Sequence, residues 1–298
     1  MTLRQKIESN GFIVCGEITP PQSCDGDVLR ARAKYFKGYV DAVNITDNQT
    51  AIVRLSSIAS ARILLDEGIE PIMQMTCRDR NRLAMQSDLL GAAALGIHNV
   101  LCLTGDYQTF GDQPEARGVF DLDSIQLITT VATMNNGHLL SGFEMKKAPG
   151  FLIGAAANPF AEPLEMRLIR LHKKVVAGAH FIQTQPVFDP GKFARWMERV
   201  VDLGLHEKVA ILAGVMPVRS AKTLLWMKER VPGMRVRDEY IDRMNHARDP
   251  EAEGVAMAVE TIQALRATRG VRGIHLMPLN WESITPTILN DAGISVAQ

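Results

Sequence analysis

Eight short runs rich in Val, Ile and Leu alternate with longer amphipathic stretches. Several of the intervening helices end in a glycine that feeds the next run directly, and no linker interrupts the series. Together these features predict an α/β chain closed into a (β/α)8 TIM barrel. The expected strands are 12–18, 39–45, 70–75, 99–103, 152–156, 181–184, 209–214 and 273–278. LGIHNVLCL from Leu95, AGAHFIQTQ from Ala177 and RGIHLMPLN from Arg272 form a weak internal repeat, matched more loosely by KGYVDAVNI from Lys37 and EGIEPIMQM from Glu67. Glycine suits the left-handed position just past a helix end, so each copy reads as a helix cap followed by a buried parallel strand. Residues 1–298 are therefore expected to form a single domain. Residues 104–120 make a long loop on the catalytic face and 136–151 one on the opposite face, and the stretch 231–250 supplies an extra helix before the last long one, 251–268.

With 33 basic and 33 acidic residues, the chain lacks the basic surplus that a nucleic-acid or anionic-membrane partner requires. Its four cysteines, Cys15, Cys24, Cys77 and Cys102, form no CxxC pair or Cys/His cluster, so neither a disulfide framework nor a metal site is expected. A charged amino terminus and the absence of a long apolar run point to a cytoplasmic protein with no membrane partner.

In such a barrel the chemistry gathers where strands end. The residues there are Glu17, Asn44, Thr46, Gln74, Thr76, Thr104, Asp106, Asn158, Gln183, Gln185 and Asn280, most of them neutral hydrogen-bonders. No lysine closes a strand as a Schiff-base enzyme would want, and the histidines, including His98, His180 and His275, are expected at strand starts or on helices. A glutamate closing the apolar run FIVCGE is partly desolvated, which favours its protonated form and makes Glu17 a candidate general acid; pairing with a loop is the alternative. Asp106, after the bare backbone of Gly105, either accepts two hydrogen bonds from an amino-substituted heterocycle or caps the next turn. Strand alternation places Gln183 and Gln185 on one face, suited to a heterocyclic substrate. Lys173 and Lys174 lie late in a helix, where cations favour the dipole, although one of them is also placed to reach a phosphate.

GEITPP at Gly16, VNIT at Val43, MTC at Met75, LTGD at Leu103, KKVVAGAHFIQTQPVFD at Lys173, GVMPV at Gly214 and PLNW at Pro278 stand in order along the chain. Between Gly16 and about Gly293 the sequence resembles the 5,10-methylenetetrahydrofolate reductases, flavin-containing TIM-barrel oxidoreductases of one-carbon metabolism. The resemblance implies that a flavin, FAD or alternatively FMN, is reduced by NADH, NADPH or a reduced protein. It then passes hydride to the methylene carbon of the bound folate. Glu17 matches the family's general acid, Asp106 the aspartate that contacts the pterin near the flavin, and Gln185 a glutamine on the folate; Gln183 and Asn280 complete the expected substrate site. Thr46, Gly105 and Lys174 fall on positions near flavin or nicotinamide, and Gln74, Thr104 and Asn158 complete the expected cofactor site. Because the opened folate is a cation, two carboxylates and few cations are expected at the mouth.

The chain departs from the family at Thr104, where an arginine is usual, at Gln74 for a histidine, at Asp47 for a tyrosine, at Arg167 for an aspartate and at Trp281 for an arginine. The loop 158–165 is also shortened. These departures keep two rivals open: a folate-dependent methyltransferase, and a flavin-free folate-binding subunit. The resemblance further leaves open a homo-oligomer and a separate electron-transfer subunit.

Overall fold

The computed structural model describes residues 1–231 and 234–294. The strands are β1 (Ile13–Ile18), β2 (Ala42–Ile45), β3 (Pro71–Thr76), β4 (Asn99–Leu103), β5 (Leu152–Ala157), β6 (Phe181–Pro186), β7 (Ala210–Val215) and β8 (Val271–Leu276). They pair in parallel, each with its neighbour in sequence, and β8 closes onto β1. The helices are α1 (Leu3–Glu8), α2 (Gly26–Ala33), α3 (Ser57–Asp66), α4 (Arg82–Ala94), α5 (Ser124–Asn135), α6 (Leu164–Val176), α7 (Pro190–Asp202), α8 (Ala221–Arg230), α9 (Asp238–His246), α10 (Pro250–Ala267) and α11 (Thr285–Asp291). The eight expected strands are all present, and α9 is the extra helix expected before the last long one. Among the described residues no helix is long and apolar enough to cross a membrane.

Strands buried on both faces need two packed layers, and the chain supplies them by alternation. One set of side chains faces the helices and builds the main core. The other set, Ile13, Cys15, Ala42, Ile72, Leu101, Leu152, Phe181, Ala210 and Leu212, fills the barrel interior, and Leu3 of α1 joins it from the amino-terminal end. Phe181 occupies the space that a side chain at Gly154 would need, since a Cβ there would stand 2.2 Å from the Phe181 ring. The loop 136–151 lies at the α1 end, where Arg4 donates to the Gly150 carbonyl, as expected for the face away from the strand ends.

Stepping two residues along a strand keeps the inward face, and on several strands that step changes the chemistry. Cys15 gives way to Glu17, Ala42 to Asn44, Ile72 to Gln74, Phe181 to Gln183 and Gly273 to His275. All five polar groups are buried. On β4 and β5 the inward residues stay apolar, Leu101, Leu103 and Ala156, so the interior ends in a polar layer with one greasy side.

The closing seam between β1 and β8 leaves no room at Gly273, where an added Cβ would stand 2.2 Å from the Ile13 carbonyl oxygen. Gly273→Ala must push backbone against backbone and is expected to cost about 1–3 kcal/mol of folding free energy, read as a lower denaturant midpoint at unchanged slope.

Candidate active site

The polar layer opens into a cavity of about 300 Å³ at the carboxyl ends of the strands. Glu17, Gln74, Gln183 and His275 rise from the barrel, while Asp47, Arg78, Thr104, Gly105 and Asp106 come from the loops after β2, β3 and β4. Glu17 Oε2 accepts from Gln74 Nε2 at 3.3 Å and lies 3.2 Å from His275 Nε2. The Gln183 amide is buried, and its polar neighbour is the Cys15 thiol, a weak hydrogen-bond partner that leaves most of the amide's capacity unused.

Two arginine clamps brace the loops. Asp47 Oδ2 accepts from the Thr76 backbone N–H at 2.8 Å, from Thr76 Oγ1 at 2.9 Å and from Arg80 Nη1 at 2.8 Å. Arg78, only 2% exposed, pairs with Asp79 through Nε and Nη2 at 2.8 and 2.7 Å. The Asp79 contact raises the Arg78 pKa and fixes its charge. Arg78 also donates to the carbonyls of Asn48 at 3.1 Å and Asp106 at 3.3 Å, so one guanidinium joins three loops. Gly105 has φ +91°, and a Cβ there would crowd the β-carbons of Thr76 and Arg78 at 3.1 Å. That close approach leaves the Asp106 carboxylate exposed on the rim.

A second recess of about 200 Å³ adjoins the first and shares Ala156 and Gln185 with it. Arg167, Arg170 and Lys174 line it, with Asn158 and Trp196. Lys174 reaches in from α6 to donate to the Ala156 carbonyl at 2.5 Å, and burial pushes its ammonium down to about 8. Arg167 Nε and Trp196 Nε1 are buried donors without a partner.

The first cavity thus gathers Glu17, Gln74, Thr104, Gly105, Asp106, Gln183 and Gln185. Asn158 and Lys174 lie in the second recess instead. Thr46 is buried behind the wall with its hydroxyl unpaired, and the Thr104 hydroxyl accepts from the Ser124 N–H at the start of α5. Asn280 is exposed, holds Arg32 Nη2 at 3.0 Å and lines neither recess.

One expectation needs correction. His275 is the fifth residue of β8, not a strand-start residue, and it faces the cavity; counting by twos from Gly273 along RGIHL locates it. The mouth is poor in cations as expected: among its described lining residues Arg78 is the one arginine or lysine, beside the carboxylates of Glu17, Asp47 and Asp106, and a loop arginine of this kind leaves no periodic signal in sequence. Gln183 and Gln185 both line the mouth, at different depths. The β6–β7 register slips between Gln183 and Pro186, Thr184 Oγ1 turns toward the Gln185 carbonyl and the Gly214 N–H, and Gln185 becomes an exposed rim residue.

Comparison with known proteins gives this geometry its relatives. Methylenetetrahydrofolate reductase 1 of Schizosaccharomyces pombe is 24% identical over 240 residues, 78% of this chain and 37% of that protein. The 5,10-methylenetetrahydrofolate reductase of Salmonella typhimurium is 27% identical over 236 residues, 76% of this chain and 71% of that one. The chain therefore spans just over a third of the fungal relative. Among solved structures, an uncharacterized protein from Clostridium thermocellum that binds two copies of 5-methyl-5,6,7,8-tetrahydrofolic acid superposes with a TM-score of 0.68. It shares 16% sequence identity over 98% of both chains, which supports the fold alone. The family model described as methylenetetrahydrofolate reductase matches residues 2–293, nearly the whole chain, and the protein belongs to that family.

Proposed function

We propose that the protein reduces 5,10-methylenetetrahydrofolate to 5-methyltetrahydrofolate, with Glu17 as the proton donor. The observation that carries this reading is that one cavity holds a buried carboxyl at its floor and a second carboxylate, Asp106, on its rim. Opening the five-membered ring of the substrate needs a proton on nitrogen, and the product of that step is a cationic 5-iminium. Glu17 gives the proton and is left as a carboxylate; Asp106 places a second negative charge beside the cation, lowering its energy in a site with little water. Arg78 does not cancel this effect, because its charge is spent on Asp79. The buried amide of Gln183, whose polar neighbour is the Cys15 thiol, offers a donor and an acceptor to the heterocycle, and Gln185 meets it at the rim.

The second recess fits the anionic portion of a flavin. Arg167, Arg170 and Lys174 would hold its phosphates, with Arg167 Nε and Trp196 Nε1 as unpaired donors, and the ring would lie in the adjoining cavity that Gly105 and Asp106 line. A bound FAD or FMN, reduced by NADH, NADPH or a protein donor, supplies the hydride that the substrate's methylene carbon accepts. A cytoplasmic setting accords with four cysteines that are all free thiols.

The purified protein is expected to be yellow, with the paired blue and near-ultraviolet bands of an oxidised flavin; a colourless protein that still reduces the folate with NADH or NADPH would remove the flavin from the reading. Glu17→Gln keeps shape but removes the proton, so kcat should fall by about 10²–10⁴ while folate affinity, measured by calorimetry, changes little. Wild-type turnover in that variant would refute the assignment. Lys174 yields a pH prediction. Its folded pKa of about 8 lies below its ordinary value of 10.5. Between those values the unfolded chain binds more protons than the folded one, so its contribution to stability rises with pH across that window, by on the order of 3 kcal/mol. Burial holds the thiols of Cys15, Cys77 and Cys102 protonated, which lowers stability as pH rises past their ordinary value, so the Lys174 effect is read as a difference: the gap in urea midpoint between wild type and Lys174→Met should shift in favour of the wild type from pH 7.5 to 10.5.

A further inference from the structure

The floor of the cavity contains a buried polar chain that the reaction as described leaves without a role. Asn44 Nδ2 lies 3.3 Å from the Gly16 carbonyl oxygen and 3.3 Å from His275 Nδ1. His275 Nε2 lies 3.2 Å from Glu17 Oε2 on the other side of the ring. Asn44 is fully buried, and His275 is 3% exposed.

Hydrogen-bond logic fixes every proton in this chain. A backbone carbonyl only accepts, so the Asn44 amide must turn its NH2 toward Gly16. The same NH2 then meets His275 Nδ1, which must accept. The imidazole proton is left on Nε2, where it points at the Glu17 carboxyl. The alternative arrangements oppose like groups. An imidazolium would set an Nδ1–H against the Asn44 NH2, and flipping the Asn44 amide to relieve that would set its oxygen against the Gly16 oxygen. Consistent with the first arrangement, Asn44 Oδ1 is left with no partner.

The consequence falls on Glu17. Its Oε2 accepts two N–H groups, from His275 and from Gln74. Its Oε1 accepts none from the described residues, and it is not among the buried unpaired atoms, so it is the oxygen open to the cavity. The two oxygens of one carboxyl are thereby made unequal.

We propose that Asn44 and His275 are positioning residues that hold the Nε2–H tautomer and so commit Glu17 Oε1 to carry the substrate's proton. This rests on the reduction proposed above. Before the reaction Glu17 is protonated at Oε1 by a hydronium ion from bulk solvent, which leaves as water, since Oε2 is occupied. The Oε1–H bond breaks as the substrate nitrogen gains that proton, the ring carbon–nitrogen bond opens, and the electron pair left on Glu17 is stabilised by the two donors already on Oε2. His275 exchanges no proton with the substrate and stays neutral throughout.

Imidazole ¹⁵N NMR of the wild-type protein at neutral pH tests the tautomer, and kinetics of His275→Leu, His275→Gln and Asn44→Leu test its use. The wild type should show an unprotonated Nδ1 and a protonated Nε2, and Asn44→Leu a mixture of tautomers. His275→Leu should lose about tenfold or more in kcat with KM for the folate within about twofold, and His275→Gln, whose amide can donate to Oε2, should recover most of it. A wild-type Nδ1–H tautomer or imidazolium would overturn the proposal, as would equal loss in the Leu and Gln variants. If His275→Leu does not fold, His275→Gln set against Asn44→Leu carries the same comparison. A wild type that binds folate but does not reduce it would sink the activity, while the ring tautomer would still decide the positioning.

Discussion

The site depends on the two-residue period of strands in a closed barrel. Closure leaves no edge, so inward positions recur every second residue except where the register shifts, as it does after Gln183 and at Leu212. Changing one inward residue from apolar to polar, two steps above the core, therefore delivers a polar group to the cavity floor, and β1, β2, β3, β6 and β8 make that change. Glu17, Asn44, Gln74, Gln183 and His275 are delivered in this way, above Cys15, Ala42, Ile72, Phe181 and Gly273. The packed layer below keeps the polar layer's geometry fixed, since Phe181 fills the space left by Gly154 and Leu3 closes the far end. Activity and stability thus share strands but occupy different residues on them.

Above the barrel a second device takes over. Loops have no period to hold them, so their positions are fixed by ion pairs that each bury one partner, Arg78 or Asp47, and carry several hydrogen bonds. Arg80 and Thr76 converge on Asp47, and Arg78 ties the carbonyls of Asn48 and Asp106 together while its charge is matched by Asp79. Pairs of this kind contribute little net stability, because the attraction mostly offsets desolvation, but breaking one strands a buried charge. Their value here is positional. They set where the Asp106 backbone stands, and therefore where its exposed carboxylate can act.

These two devices explain what the sequence revealed and what it hid. The strands were legible because short Val/Ile/Leu runs recur eight times and glycine caps precede several of them, and Glu17 and Gln183 were legible because they end such runs. His275 was equally available to the count by twos, but the helix-cap repeat drew attention to its place near the start of the run. Gln185 reaches the mouth as expected but on its exposed rim, because alternation assumes an unbroken ladder and the slip after Gln183 lets the Thr184 hydroxyl compete for Gly214. Arg78 could not be found at all. Its burial comes from partners on three separate loops, and nothing in MTCRDR distinguishes it from Arg80 or from a solvated arginine. Asn280 lines neither recess, and its side-chain oxygen accepts from Arg32 of α2, a contact that strand position does not reveal.

The unpaired groups give the strongest physical argument that the two recesses serve one ligand system. Folded proteins leave few buried polar atoms without partners. Here the Gln183 amide has only a weak thiol neighbour, Cys15, in the first cavity, and Arg167 Nε and Trp196 Nε1 lie unpaired at the second. A buried polar group without a good partner costs about 1–3 kcal/mol. A ligand that satisfies them recovers that cost on binding. The chemistry of the groups then constrains the ligand: a neutral amide asks for a heterocycle with both donors and acceptors, and a cationic recess asks for an anion. Because the recesses meet at Ala156 and Gln185, one molecule or two in contact can satisfy both. A planar heterocycle with a charged tail meets these demands, which both folates and flavins have, whereas a small metabolite that fills only one recess leaves the other set of costs standing.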